Sequence, residues 1–376
     1  MIARVFSLHT EVRMKVLILA NSDVGLYKFR KELLEALLEN CEVFISLPNG
    51  DYIHKMQEMG CHYIETGFNR KGTNPIKDLQ LLNKYRTILK ETKPDIVFTY
   101  TIKPNVYGGI ACQIEKVPYV ANVTGLGSAL ENSGILQQIT KILYKIGLRK
   151  AQNVFFQNEA NRQFMIENDI VGKNNMLIPG SGVNLEMYQY LDFPDNKPIG
   201  FVFVGRLMEQ KGFSLYLSAA ERIHQKYSDA VFHVCGPDED GYLQQITKME
   251  ENKEIIYHGM VKDMREIYGQ IQCIVHPSHY AEGMSNVLLE AAACGRAIIT
   301  TDRPGCKETV NDQESGFLVK QNDLEDLIGK IESFISLSYE QRKEMGKKGR
   351  EKVETEFDRK IVVDRYFVEL KKCQNQ

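Results

Sequence analysis

The stretch that decides the fold is Cys273-Ile274-Val275-His276-Pro277-Ser278, continued by Glu282-Gly283-Met284-Ser285-Asn286-Val287-Leu288-Leu289-Glu290 and closed by Ala291-Ala292-Ala293-Cys294-Gly295. The apolar run 273–276 reads as a buried strand, with Pro277-Ser278 as its exit loop. Gly283 permits a tight turn, and Ser285 or Asn286 is placed to cap the helix that follows. That helix runs through Val287, Leu288 and Ala291 and stops at Gly295. Strand, glycine loop and helix N-terminus together present free backbone N–H groups, a common means of holding a phosphate. Glu290 lies further into the helix, where a carboxylate suits a diol such as a ribose better than an anion.

Outward from that unit, the same alternation recurs in both directions. Toward the N-terminus, strands are expected at 15–20, 43–47, 63–64, 95–100, 118–122 and 153–157. Helices are expected at 26–39, 52–59, 77–91 and 135–150, with loops at 21–25 and 124–127. The segment 179–184 is turn chemistry, and 192–198 is polar with two prolines, which marks a domain boundary near 190. A second series has strands at 199–204, 231–235, 255–258, 273–276, 297–300 and 317–319. Strands alternating with helices of this length imply parallel sheets covered on both faces, with ligands at the C-terminal strand ends. The expected domains are 14–190 and 191–356, with a last helix at 357–376 returning to the first. Residues 1–13 are expected to be a disordered extension or an upstream-start artefact.

The 376 residues are enough for two domains, and 43 % hydrophobic content is ample for packed cores. A net charge of −2 argues against a general nucleic-acid binder. The eight cysteines are scattered without CxxC spacing, so reduced thiols are expected rather than disulfides or a zinc site, which points to the cytosol. The apolar runs are too short to span a membrane, and residues 1–13 contain no signal-peptide core.

Gly205-Arg206-Leu207-Met208-Glu209-Gln210-Lys211-Gly212 follows the first strand of the second domain. Taken alone it is a solvated basic turn. Beside the 282–290 loop, Arg206 and Lys211 read as two cations at a strand's C-terminal end, able to neutralise a departing diphosphate. The order of residues excludes a Walker A loop. Asp238-Glu239-Asp240 has the look of an acidic metal site, but a solvated loop is the expected reading. His276 and His279 are expected to be satisfied or at the surface. Lys141, Lys145, Arg149 and Lys150 interleave with Ile139, Ile142, Leu143, Ile146 and Leu148 in an amphipathic helix. It suits either an anionic membrane surface or a core with a solvated basic face. Arg70, Lys71 and Lys77 tip that reading toward the membrane.

With these motifs in order, the chain resembles the retaining glycosyltransferases of family 4, from Met14 to the C-terminus. The Glu282–Glu290 spacing, the pair Gly205-Arg206 with Lys211-Gly212, and the 179–184 turn carry the likeness. The resemblance implies the GT-B fold, two facing Rossmann-like doubly wound α/β domains with a cleft between them. It implies Arg206 and Lys211 on the donor diphosphate, and Glu282 on the donor sugar. Gly205, Gly283, Met284, Ser285, Asn286 and Val287 would surround sugar and phosphates. Glu290 would bind the ribose, and the Gly25 loop would close beneath the donor. Thr124, Gly125 and Gly127 would approach the reacting sugar or the acceptor.

Leu26-Tyr27-Lys28-Phe29-Arg30, Asn69-Arg70, Asn74-Pro75, Lys103-Pro104-Asn105 and Gly125-Leu126-Gly127 are similar to a bacterial subgroup. That subgroup builds capsular, O-antigen or glycoprotein oligosaccharides on polyprenyl diphosphate, and the likeness puts Lys103 and Asn105 on the acceptor side. The resemblance implies a UDP-sugar donor carrying a hexose or N-acetylhexosamine and a lipid-linked saccharide acceptor. No metal, cofactor or nucleic acid is expected. The expected location is the cytoplasmic face of the inner membrane, held peripherally by the 135–150 helix. A GT-B sugar-nucleotide epimerase and a catalytically silent sugar-nucleotide-binding subunit are the alternatives.

Overall fold

A computed structural model describes residues 13–67, 74–127, 130 and 134–374. Asn69, Arg70 and Lys71 lie outside the described residues, as does all but the last residue of the 1–13 extension.

Thirteen strands form among the described residues. They are β1 (Met14–Leu19), β2 (Cys41–Leu47), β3 (His62–Glu65), β4 (Ile96–Tyr100), β5 (Tyr119–Val123), β6 (Asn153–Phe156) and β7 (Asn175–Leu177), followed by β8 (Ile199–Val204), β9 (Ala230–Cys235), β10 (Ile255–Tyr257), β11 (Cys273–His276), β12 (Ala297–Thr301) and β13 (Gly316–Val319). Two sheets result, in the orders β3-β2-β1-β4-β5-β6-β7 and β10-β9-β8-β11-β12-β13. Neighbouring strands pair in parallel, as β1 does with both β2 and β4, and β11 with both β8 and β12. Their near-continuous apolar content follows from burial on both faces. This is the pair of doubly wound α/β domains that the alternation implied.

Each sheet has a topological switch point, between β1 and β4 and between β8 and β11. Adjacent connections leave in opposite directions there, and a crevice opens at the C-terminal strand ends. One face of the first sheet packs Leu26, Leu33, Leu34 and Leu37 of helix Asp23–Asn40, together with Val362, Tyr366 and Leu370 of the last helix, Arg359–Gln374. The other face packs Tyr85, Ile88 and Leu89 of helix Pro75–Thr92 with Tyr144 and Leu148 of helix Ile135–Leu148. The last helix is tied to the first domain by polar contacts as well. Asn122 Nδ2 donates to Tyr366 Oη at 2.8 Å, and Gln152 and Asn153 donate to the Glu369 carboxylate at 2.8 and 2.9 Å.

Strand β7 and helix Glu159–Glu167 were not among the expected elements. The strand is three residues long at a sheet edge, too short for a periodic signal. Gly25, expected in a loop, stands in the first turn of helix Asp23–Asn40, where its N–H donates to Oγ of the N-cap Ser22 at 3.1 Å. The serine cap outweighs the low helix propensity of glycine. All eight cysteines are free, seven of them buried. No helix of the described residues is long and apolar enough to cross a membrane.

Candidate active site

After β8 the chain makes a short 3-10 turn, Glu209–Lys211, and enters helix Phe213–Lys226 through Gly212. Gly212 has φ +72°, and a Cβ there would collide with the Pro277 carbonyl oxygen, so glycine alone lets the turn seat against the exit of β11. His279 N donates to the Gln210 carbonyl oxygen at 3.0 Å and fastens the two loops together. Lys211 Nζ thereby reaches Glu282 and donates to its Oε1, with both side chains largely buried. The ammonium also lies 5.1 Å from the centroid of the Tyr280 ring. Arg206 sits 5.5 Å from the same centroid, is more exposed, and donates to Glu239 Oε2 at 3.0 Å. The structure thus gathers Arg206, Lys211 and Glu282 around one aromatic ring.

Asp238-Glu239-Asp240 is engaged by the protein itself. Asp238 accepts from the N–H groups of Gly241, Tyr242 and Leu243, and Asp240 accepts from that of Glu209. His276 departs from expectation. It is 1 % exposed, neither ring nitrogen has a partner among the described residues, and the ring stacks on Phe203 at 5.9 Å. Burial, aided by the Lys211 charge, holds its pKa well below the usual histidine range, so the imidazole is neutral.

The helix announced by the 282–290 motif is Asn286–Ala293. Ser285 occupies the N-cap but makes no side-chain cap, contrary to expectation, and Asn286 is the first helical residue. Ser285 N instead donates to the Gly305 carbonyl oxygen at 2.8 Å, which pins the entry loop from the other side. Met284 is buried against Gly180, so the 179–184 turn touches the motif directly. Val287 turns its carbonyl oxygen to the Tyr268 hydroxyl, 3.3 Å away. Glu290 keeps a partial opening to solvent, yet its carboxyl is crowded enough for burial to push its pKa up to about 7. The charges of Arg359 and Lys28 and a hydrogen bond from Tyr188 oppose that rise without cancelling it.

The first domain meets this loop at short range. A Cβ on Gly283 would collide with the Thr124 carbonyl oxygen and with Gln157 Oε1, and one on Gly125 would start 3.1 Å from the Ala281 carbonyl oxygen. Asn158 Nδ2 donates to the carbonyl oxygens of Gly283 at 2.7 Å and Glu282 at 3.2 Å. Gln157 and Asn158 carry this approach, and the sequence reading had passed over both. Their only signal was position, at the C-terminal end of a buried strand.

Between the loops is a cavity of about 220 Å³, walled by Gly25, Arg30, Tyr100 and Thr101 on one side and by Glu282 and Asn286 on the other. It lies at the first sheet's switch point and against the loop that follows β11, and Arg206, Lys211 and Glu290 are not among its lining residues. Lys103 and Asn105 do not line it. Lys103 Nζ donates to Asp78 Oδ1 at 2.8 Å. Asn105 is completely buried, accepts from Thr99 Oγ1 at 2.7 Å and donates to the Asn122 carbonyl oxygen at 2.9 Å. Asn105, expected on the acceptor side, thus lies away from this cavity, where its amide holds sheet to helix.

Known proteins share this fold. The family pattern described as Glycosyl transferase 4-like matches residues 15–158, and that of Glycosyl transferases group 1 matches residues 191–352. The chain belongs to the glycosyltransferases that join these two domains in a GT-B fold. It is similar to an N,N'-diacetylbacillosaminyl-diphospho-undecaprenol alpha-1,3-N-acetylgalactosaminyltransferase of Campylobacter jejuni, at 27 % identity over 94 % of this chain and 97 % of that one. It is also similar to a UDP-Gal:alpha-D-GlcNAc-diphosphoundecaprenol alpha-1,3-galactosyltransferase of Escherichia coli, at 27 % identity over 68 % and 70 % of the two chains. Among solved structures, Anabaena Alr3699/HepE in complex with UDP and glucose superposes with a TM-score of 0.78, at 17 % identity, over 96 % of this chain and 99 % of that one.

Proposed function

We propose that the protein transfers a hexose or N-acetylhexosamine from a UDP-sugar to a saccharide carried on polyprenyl diphosphate, with retention of the α configuration. The observation that carries the reading is the meeting of Lys211 with Glu282, a residue that lines the cavity between the loops of the two domains. Relatives named for diphospho-undecaprenol substrates support the acceptor class.

Arg206 and Lys211 hold the donor diphosphate and offset the charge that grows on it as the sugar leaves. Lys211 exchanges its Glu282 partner for phosphate oxygen, which releases the carboxylate toward the sugar hydroxyls. Glu290 takes the ribose diol, and the first-turn N–H groups of helix Asn286–Ala293 face the phosphates. Thr124 and Gly125 lie over the Glu282–Gly283 loop and, with Gly127 beside Ile102, exclude water. The acceptor hydroxyl attacks on the face from which the diphosphate departs, and the diphosphate takes its proton. No protein nucleophile and no metal take part.

Helix Ile135–Leu148 supplies the membrane contact. Its core side is Thr140, Tyr144, Gly147 and Leu148, whereas Ile135, Leu136, Ile139, Ile142 and Ile146 are exposed, Ile135 by 82 %. At 100° per residue the isoleucine stripe points away from the core side, with Lys141 and Lys145 along its flank. A basic helix with an outward apolar stripe suits an anionic bilayer on the cytoplasmic side.

The test is an assay of several UDP-sugars with a polyprenyl-diphosphate-linked saccharide, with and without a chelator, and with the product's anomeric configuration read by NMR. An α-linked product formed equally in chelator is expected. A β-linked product would rule out retention, and loss of activity in chelator would rule out metal independence.

A further inference from the structure

The cavity between the domains holds a cation that the protein does not balance. Arg30, on helix Asp23–Asn40, is 4 % exposed, and its Nη1 donates to the Phe29 carbonyl oxygen at 2.9 Å. Its Nε is buried without a partner among the described residues, and its guanidinium lies 5.3 Å from the centroid of the Tyr100 ring. Among the described residues that line the cavity, only Arg30 and Glu282 are charged, and Glu282 is already held by Lys211. The positive charge is therefore uncompensated where it matters.

Further polar groups surround the same space. Tyr100 is 5 % exposed, its hydroxyl engaged by Tyr366 and Arg30, and Thr101 Oγ1 and Asn286 Oδ1 are buried without a partner among the described residues. Thr101 is also held at φ +70°, a left-handed conformation that a β-branched residue rarely adopts. Native folds leave few buried polar groups unpaired, and an isolated buried guanidinium is strongly disfavoured. Arg30, Thr101 and Asn286, all lining one cavity, leave hydrogen-bonding capacity that a ligand can complete. The N-terminus of helix Asn286–Ala293 adds positive potential at the second-domain wall, whereas Asp23 occupies the first turn of helix Asp23–Asn40.

We propose that Arg30, Tyr100 and Thr101 form a first-domain anchor for a phosphate-type anionic oxygen of the substrate, with Asn286 accepting a hydroxyl or N–H from the same ligand. The inference rests on the transferase reading for its two sources of that chemistry, the donor's diphosphate and the acceptor's. The side chains bind and position, and no proton or electron is assigned to them.

The test compares wild type with Arg30→Gln and Arg30→Lys in three measurements. These are the melting temperature without ligand, calorimetric affinity for UDP and for inorganic pyrophosphate, and KM for a short-chain polyprenyl-diphosphate saccharide. Loss of a charge-assisted hydrogen bond is expected to weaken one diphosphate ligand about ten-fold or more in Arg30→Gln, with partial recovery in Arg30→Lys. Removing an unbalanced buried charge is expected to leave the ligand-free melting temperature unchanged or higher. Weaker UDP binding with unchanged acceptor KM assigns the anchor to the donor, and the reverse assigns it to the acceptor. A lower melting temperature with unaltered affinities and KM overturns the proposal and makes Arg30 a structural residue. If Arg30→Gln is both less stable and weaker in binding, the lysine variant decides. Recovered binding without recovered stability upholds the anchor, and recovery of both together overturns it. Arg30-dependent pyrophosphate binding in a protein that turns over no UDP-sugar would keep the anchor and remove the transferase reading. Turnover with unaltered Arg30→Gln constants would do the opposite.

Discussion

The two walls of the interdomain cavity are built on opposite principles. On the second-domain side, Glu282 is the charged residue that lines the cavity and its charge is matched from behind: Lys211 holds Glu282 and, further back, Arg206 holds Glu239, with Tyr280 beside both cations. On the first-domain wall, polar groups are left unmatched, with Arg30 Nε and Thr101 Oγ1 buried and without a partner among the described residues. A matched wall can exchange a carboxylate for a phosphate at little net electrostatic change, whereas an unmatched wall gains most when a ligand arrives. Under the proposed function, that difference would give chemistry to one side and recognition to the other.

The largest test of that contrast is Lys211→Ala. Loss of a cation that acts on developing charge is expected to lower kcat by about 10²–10³-fold. The melting temperature should change little, because only a loop–loop ion pair is lost. Near-normal turnover in a steady-state assay would move the charge chemistry off this wall. A second test separates the walls physically. Gly283→Ala places a methyl group against the Thr124 carbonyl oxygen and Gln157, so the two loops cannot meet. Displacement of about 1 Å near reacting groups is enough for a loss approaching 100-fold in kcat/KM. The substitution lies outside both sheet cores, so folding measured by circular dichroism should persist.

A smaller effect is expected at Glu290, whose folded-state pKa of about 7 lies above the value of 4.5 for a free glutamate. The folded protein holds this proton more tightly than the unfolded chain, so its contribution to stability is complete below pH 4.5. It declines as pH rises from 4.5 toward 7 and is constant above that. The contribution is at most about 3 kcal/mol, lessened by the carboxylate's opening to solvent. Melting temperature against pH should therefore fall less steeply over this window in Glu290→Gln than in wild type. Nucleotide affinity in wild type should strengthen between pH 6 and 8, because the ionised carboxylate is the better acceptor for ribose hydroxyls. Parallel pH profiles in the two proteins would remove Glu290 from both effects. The smallest change concerns the distant helix Ile135–Leu148. Ile142→Asp should reduce co-sedimentation with anionic vesicles several-fold while leaving the melting temperature unchanged, since Ile142 is 60 % exposed. Undiminished vesicle binding would place the membrane contact elsewhere.

Much of the second-domain wall was legible in sequence because it is local. Arg206, Lys211, Glu282 and Glu290 fall on two short segments directly after β8 and β11, and parallel-sheet topology alone brings those strand ends together. The first-domain wall was less legible. Arg30 read as part of a motif, Tyr100 and Thr101 drew no attention, and Asn105 was expected at a ligand but is buried against the sheet. Asn158 illustrates the reason. It hydrogen-bonds residues more than a hundred positions away, and no periodicity records such a partner.

The sequence by itself determined what depends on neighbours along the chain. That comprises the alternation that yields two parallel sheets, the glycine turns, the helix N-terminus of the 282–290 motif and the cations beside it. Hydrophobic period and turn chemistry act over a few residues and survive in one dimension. Tertiary structure decided which polar groups find partners, that Glu290 is crowded enough to keep its proton near neutrality, that Gly283 meets Thr124, and which side of helix Ile135–Leu148 faces outward. Those outcomes depend on desolvation and on contacts between segments far apart in sequence, and both exist only once the chain has folded.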